Sequence, residues 1–268
     1  MWGIFLTKRK FNIFGGIVMA EKKAYFNSTR IAFIAIFAAL TGILHAFGKF
    51  PLSFAFPGFL EFDFADIPLL IGTFALGPLS GAIIAVVAIL IKLVCAGTGS
   101  MFVGDLAKLL MWLGLVVPAG IVYQRFRTKK GAVLALGVGS ASSIVVAILS
   151  NWLMLIPFYV YLQFHGSWDI LLNMMRPLFP NITQATFYNY YLWVSVLPFN
   201  ILRCLIASLV CFFVYKHISV VIERVNKKLT PKQGKEKAAK TRDIIILIVC
   251  IVVVLLLILF TLLRYFLW

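Results

Sequence analysis

Carboxylates are scarce in this 268-residue chain, where nine Asp and Glu stand against 25 Lys and Arg. Histidine is scarcer still. His45, His165 and His217 are scattered along the sequence, so a histidine-supported nucleophile or metal centre has little to build on. The four cysteines, Cys95, Cys204, Cys211 and Cys250, lie in apolar runs and form no C-x-x-C pair, which argues against zinc and against a disulfide framework. A phosphate-binding G-x-x-x-x-G-K-[ST] loop is also missing, so any ATP hydrolysis that drives this protein belongs to another chain. Gly77-Pro-Leu-Ser80-Gly81 has a superficial likeness to an intramembrane serine protease motif, but no histidine is placed near it.

Apolar residues are what the chain has in excess. They make up 62% of it, with a mean hydropathy of +1.01, against roughly 45–50% apolar content in soluble domains. The lipid bilayer is therefore its expected solvent. A net charge of +16 would suggest a nucleic-acid partner if it formed one face of a soluble fold. Instead, 19 of the 25 basic residues fall in three segments: from Lys8 to Arg30, from Arg125 to Lys130, and from Lys216 to Arg242. An excess of Lys and Arg marks the cytoplasmic side of a membrane. The charge thus reads as topology in a cell membrane, with a cytoplasmic N-terminus and no nucleic acid.

The expected fold class is all-α: a multi-pass membrane protein with a six-helix bundle, a structured outer loop between helices 1 and 2, and a seventh C-terminal membrane helix. Residues 1–28 read as a cytoplasmic extension in which Met1 and Met19 are alternative starts, and no small-residue cleavage site follows a sustained apolar core. Residues 29–217 form the six-helix unit, with spans over 31–47, 68–77, 82–96, 103–123, 131–161 and 191–216. Pro157 is expected to kink or end the fifth. Residues 218–242 are a basic cytoplasmic linker, and 243–268 the seventh helix.

The stretch from Phe59 to Leu70 holds Glu61, Asp63 and Asp66, three of the nine carboxylates, alternating with Phe62 and Phe64 and ending at Pro68. Lying between two membrane-length runs, it reads as a lid leading into a short helix, because non-helical backbone at membrane depth survives where it lines a cavity. Asp66 stands where an N-cap belongs. Its three carboxylates either close over a ligand or simply hold the loop and the helix start.

Polar side chains at depth are functional candidates. Asn151 lies on the fifth span; Asn200 and Arg203, three residues apart, share a face of the sixth. Together they offer donors and acceptors to a planar, multiply hydrogen-bonding ligand, with Trp152, Tyr159, Tyr188, Tyr190 and Phe199 nearby as apolar surface. The same residues also suit interhelical glue, with Arg203 snorkelling or pairing with a lid carboxylate. Lys92, Asp105 and Lys108 form a second polar set, read as an ion pair between Asp105 and Lys108 one turn apart. On the first span, Ala35 and Ala39, widened by Ala32, Ala38 and Gly42, make a smooth strip for another helix, inside the bundle or outside it.

Four stretches carry a family resemblance: Phe59 to Pro68 with Phe74 to Gly81; Gly97 to Ser100 with Val103 to Ala107; Ser150-Asn151 with Pro157 and Tyr159; and Leu197 to Arg203 through Tyr215-Lys216. In their order and spacing the chain resembles the substrate-binding S components of energy-coupling factor (ECF) vitamin transporters, specifically the riboflavin type. The resemblance implies capture of riboflavin from outside beneath the first loop, where Phe59, Leu60, Glu61 and Phe62 would cover it. Asn151, Asn200 and Arg203 would bond the flavin ring. Ala35 and Ala39 would meet a transmembrane coupling subunit that works with two cytoplasmic ATPases. Riboflavin is then cargo; no cofactor, metal or catalysis is implied. The chain carries Arg203 where the family commonly has Lys, and Glu61 adds a charge to the lid. The alternatives are an S component for a related flavin or another vitamin, a membrane enzyme using His45, Asp63 and Asp66, and a structural membrane protein.

Overall fold

The computed structural model describes residues 28–229, with side chains to Val214. The expected extension over 1–27, the end of the linker over 230–242 and the expected seventh helix over 243–268 lie outside the described residues. Seven helices follow one another: α1 (Ser28–Phe47), α2 (Asp66–Leu76), α3 (Pro78–Ala96), α4 (Val103–Arg125), α5 (Lys129–Gln163), α6 (Asp169–Met175) and α7 (Gln184–Val214), which runs on as helix to Leu229. Between α1 and α2 the two-residue strands β1 (Phe50–Pro51) and β2 (Glu61–Phe62) pair antiparallel, Phe50 opposite Phe62.

Five of these helices, α1, α3, α4, α5 and α7, are long and apolar enough to cross a membrane. The other member of the expected six, α2, has 11 residues. At about 1.5 Å per residue it reaches roughly 16 Å, about half of a hydrocarbon layer some 30 Å thick. The lid chain before it is anchored by the buried Phe56, Phe62, Asp63 and Ala65, while Phe54, Phe59 and Phe64 stay exposed. Pro68 falls in the first turn of α2, where its missing N–H costs no hydrogen bond. Gly77 ends the helix at φ +93°, a conformation that favours glycine, and Pro78 opens α3.

The bundle core is built around α2, which touches α1, α3, α4 and α7. Leu69 and Leu70 of α2 and Trp112, Leu115 and Val116 of α4 are all but fully buried there. The small-residue strip of α1 divides between two directions. Ala38 and Gly42 face inward, while Ala35 is exposed and Ala39 half-buried on the outer side with Ile31, Ile36, Leu40 and Ile43. Gly42 lets α1 meet α3 closely, since a Cβ there would stand 2.9 Å from the Ala88 carbonyl oxygen and from Ile91. Cys95, Cys204 and Cys211 are free thiols.

Pro157 does not end the fifth span, one of the two outcomes the sequence reading offered. The helix passes through it to Gln163 because turns on both sides are widened. The Ile156 N–H bonds the Asn151 carbonyl, and the Phe164 N–H bonds the Tyr159 carbonyl at 2.8 Å, both i→i+5. Wide turns of this kind absorb a residue that cannot donate. A third spans Asn189–Val196 in α7, with the Leu197 N–H on the Leu192 carbonyl.

Gly42→Val is expected to destabilise the bundle by about 1–3 kcal/mol through overpacking, whereas Ala35→Val on the outer face changes little. Thermal unfolding in detergent distinguishes the two.

Candidate functional site

Beneath the lid lies a cavity of about 470 Å³, walled by the lid and by α1, α3, α4, α5 and α7. That volume falls within the roughly 300–1,000 Å³ usual for small-molecule sites. Phe59, Leu60 and Glu61 of the lid line it, as do Asn151, Asn200 and Arg203. Phe62 does not; its ring packs with Phe56 and Phe199 in a separate small core that seats the lid.

The lid is clipped on by aromatic contacts. Phe56 meets Phe199 edge-on with ring centroids 5.3 Å apart, and Phe59 meets Tyr191 at 5.8 Å, so both contacts run to α7. At the α1 edge, Lys49 lies 3.4 Å from Glu61. Because this pair is partly solvated, it adds at most about 1 kcal/mol.

A buried ionic cluster occupies the inner wall. Asp63 accepts from Lys108 Nζ at 3.0 Å and pairs with His45 Nδ1 at 2.9 Å, while its Oδ1 accepts from the Ala65 N–H at 3.0 Å. Asp66 accepts from Trp112 Nε1 at 2.7 Å and lies 3.0 Å from Arg203 Nη1; Lys108 is 3.9 Å away on its other side. Arg203 Nη2 in turn donates to Ser143 Oγ at 3.1 Å. Beside this group, Lys92 donates to Asp105 at 2.5 Å. Three carboxylates thus meet three fixed cations, and His45 stacks its ring edge on Trp112 at 5.1 Å.

Two expectations need correction here. Asp105 pairs with Lys92, not Lys108, because the lid brings Asp63 and Asp66 to Lys108 from outside α4. Asp66 is not an N-cap: it is the first residue of α2, makes no cap hydrogen bond, and turns its carboxylate inward to Trp112 and Arg203. Of the two readings open for Arg203, pairing with a lid-region carboxylate is what the structure contains.

On the amide side, the Asn200 amide nitrogen donates to the Val196 carbonyl at 2.8 Å, which leaves Oδ1 without a hydrogen bond among the described residues. Asn151 donates likewise to Ala147 at 2.8 Å, and its Oδ1 accepts from the Tyr191 hydroxyl. Tyr191 also lines the cavity, yet the sequence reading passed over it in favour of Trp152, Tyr188 and Tyr190. Trp152 and Tyr190 are exposed on the outer surface, and Tyr188 packs on Trp168. The wide turn over Asn189–Val196 rotates this stretch out of the phase a regular helix would give. Tyr159 and Phe199 do line the cavity.

Burial alone would raise the Asp63 carboxyl, but the Lys108 ammonium and the His45 ring outweigh it and hold the group below the usual carboxylate range. A depressed folded value means that Asp63 stabilises the fold fully above its unfolded value of about 3.9, and that this contribution is lost as pH falls below it toward the folded value. Thermal midpoints measured at pH 6 and pH 3.5 are expected to fall less in Asp63→Asn than in the parent protein. Asp66→Ala, which strands Arg203, should cost about 3–5 kcal/mol. Asp66→Leu combined with Arg203→Met should recover most of that loss in the same unfolding assay.

The match to known proteins covers this whole assembly. The family model for "ECF transporter, substrate-specific component" matches residues 29–215. Over 196 residues the chain is 26% identical to the riboflavin transporter RibU of Staphylococcus aureus, covering 73% of this chain and 93% of that protein. It is 21% identical over 183 residues to the riboflavin transporter FmnP of Bacillus subtilis, covering 67% and 88%. With the riboflavin transporter RibU of Streptococcus thermophilus the identity is 27% over 205 residues, covering 74% and 87%. A solved structure described as "Structure and mechanism of the S component of a bacterial ECF transporter" shares the fold at a TM-score of 0.54 and 24% identity, over 72% of this chain and 96% of that one. Residues 29–215 take in the five membrane-length helices, the lid and the cavity, and the chain therefore belongs to the substrate-specific components of ECF transporters, a family of transport subunits rather than enzymes.

Proposed function

We propose that the protein captures riboflavin at the outer face of the cell membrane and presents it to a transmembrane coupling subunit driven by two cytoplasmic ATPases. The observation that carries this reading is the cavity itself, which sets two buried amides and a guanidinium against aromatic walls under a closed lid. A flavin ring is planar and apolar across its faces, and its pyrimidine edge alternates carbonyl acceptors with one N–H donor. Asn200 Oδ1, uncommitted in the structure, suits the N–H. Arg203 keeps donors beyond those given to Asp66 and Ser143, its Nε being buried without a partner, and these suit a ring carbonyl. Phe59, Tyr159, Tyr191 and Phe199 supply stacking surface. The relatives named as riboflavin transporters align along 87–93% of their own length in the two RibU cases above, which supports the same cargo.

The distribution of basic segments supports an orientation with the N-terminus and the α4–α5 loop in the cytoplasm and the lid outside. Ala35 and Ala39 lie on the outward surface of α1, where a coupling subunit could pack closely.

Protein purified in detergent is expected to quench riboflavin fluorescence saturably, and in some preparations to carry a yellow flavin chromophore. Asn200→Ala should weaken binding by roughly tenfold, the scale of one buried hydrogen bond, with the unfolding midpoint little changed. A folded, colourless protein that leaves riboflavin fluorescence untouched would sink this cargo and turn the search to other vitamins.

A further inference from the structure

Four cations in the turn between α4 and α5 have no counter-ion among the described residues. Elsewhere in the bundle Lys49, Lys92, Lys108 and Arg203 each stand 2.5–3.4 Å from a carboxylate oxygen. Arg125, Arg127, Lys129 and Lys130 are all exposed, and none of them meets a carboxylate among the described residues. The carboxylates whose side chains are described are Glu61, Asp63, Asp66, Asp105 and Asp169. They belong to the lid, the start of α2, the start of α4 and α6, all at the other end of the bundle.

The turn holds these charges on a fixed frame. The Phe126 N–H closes α4 on the Val122 carbonyl at 3.0 Å, and the Thr128 N–H bonds the Phe126 carbonyl at 2.8 Å. The Thr128 hydroxyl accepts from the Gly131 N–H at 3.0 Å. Gly131 lies so near that a Cβ there would stand 1.8 Å from the Phe126 carbonyl oxygen. Lys129 and Lys130 are the first two residues of α5, whose opening turn has no acid, and a helix start disfavours positive charge. Like charges crowded on so short a turn repel one another until an outside anion joins them. Membrane orientation needs only the net charge of a loop; a tight frame around it is more than orientation requires.

Depth identifies the anion. The 23 residues of α4 reach about 34 Å at 1.5 Å per residue, a little more than a hydrocarbon layer some 30 Å thick. Arg125, the last residue of α4, therefore emerges among lipid phosphates. Between Arg125 and Arg127 stands Phe126, 51% exposed, an apolar side chain suited to the boundary between headgroups and acyl chains. We infer that the α4–α5 turn binds anionic phospholipid: Arg125, Arg127, Lys129 and Lys130 hold the headgroup phosphates, and Phe126 enters the acyl layer beside them. The contact fixes the end of the bundle opposite the lid in the membrane. It involves no residue of the cavity and is independent of the cargo.

The test follows the thermal unfolding midpoint of the full chain in a neutral maltoside detergent as dioleoyl phosphatidylglycerol, dioleoyl phosphatidylcholine or inorganic phosphate is added. Phosphatidylglycerol alone is expected to raise the midpoint, by about 5–10 °C in hundredfold excess over its dissociation constant, and the rise should shrink in 0.5 M salt (a condition of the assay, roughly 4 Å in screening length). Arg127→Gln combined with Lys130→Gln should weaken the lipid roughly 30-fold, at about fivefold per cation. Replacing all four cations by Gln should abolish the rise. Should that protein fail to unfold cooperatively without lipid, the two-charge variant decides. Lys227→Gln with Lys228→Gln removes equal charge beyond the turn and should leave the rise intact. The site is overturned by no rise in the parent protein, by a rise that survives in the two-charge variant, or by an equal loss in the Lys227 and Lys228 control, which would mean diffuse attraction. A full rise with inorganic phosphate would replace the lipid by a free anion and overturn it as well.

Discussion

Everything around the cavity depends on neutralising charge where water is excluded. Asp63 and Asp66 enter the bundle at the point where the lid becomes α2, and each would be prohibitively expensive there alone. Lys108 and Arg203 make their burial tolerable, and in doing so they fix α4 and α7 to the start of α2. His45 and Trp112 complete the enclosure from α1 and α4. A single group of side chains thus ties four helices together at one depth. The short helix, which could not span a bilayer by itself, is held by charge on one end and by the packing of Leu69 and Leu70 along its length.

That arrangement also explains why a capture site can sit there. A lid attached through Asp63 to buried cations, and through Phe56 and Phe59 to α7, closes the cavity with contacts that are few and specific. Arg203 belongs both to the ionic cluster and to the cavity wall, so the clamp that holds the start of α2 also shapes the cavity. The Lys49–Glu61 pair at the rim is partly solvated and contributes little by comparison.

Much of this was legible in the sequence, for identifiable reasons. Five of the six spans expected over residues 29–217 announce themselves by apolar length, whereas the second, read as a span over 68–77, is an 11-residue helix too short to reach across. The lid stood out because three of nine carboxylates fell within six residues. Asn151, Asn200 and Arg203 were visible as polar groups in apolar helices, and they do meet around one cavity. The pairing of charges was not legible. Spacing along α4 suggested Asp105 with Lys108, but local spacing cannot register carboxylates delivered by a loop more than 40 residues earlier. Tyr191 was missed for a different reason: its orientation follows from a wide turn, and i→i+5 bonding leaves no mark in hydropathy.

The wide turns themselves carry an evolutionary reading. Each holds one residue more than an α-turn would, and so has the form of a single-residue insertion that the helix has accommodated without breaking. In α5 and α7 these insertions lie beside Asn151, Tyr159 and Tyr191, at the wall of the cavity. Losing one would turn every later side chain of that helix by about 100°, replacing the lining wholesale while the lipid-facing length changed by little. Ligand preference in such a bundle can therefore change through indels of one residue as readily as through substitution.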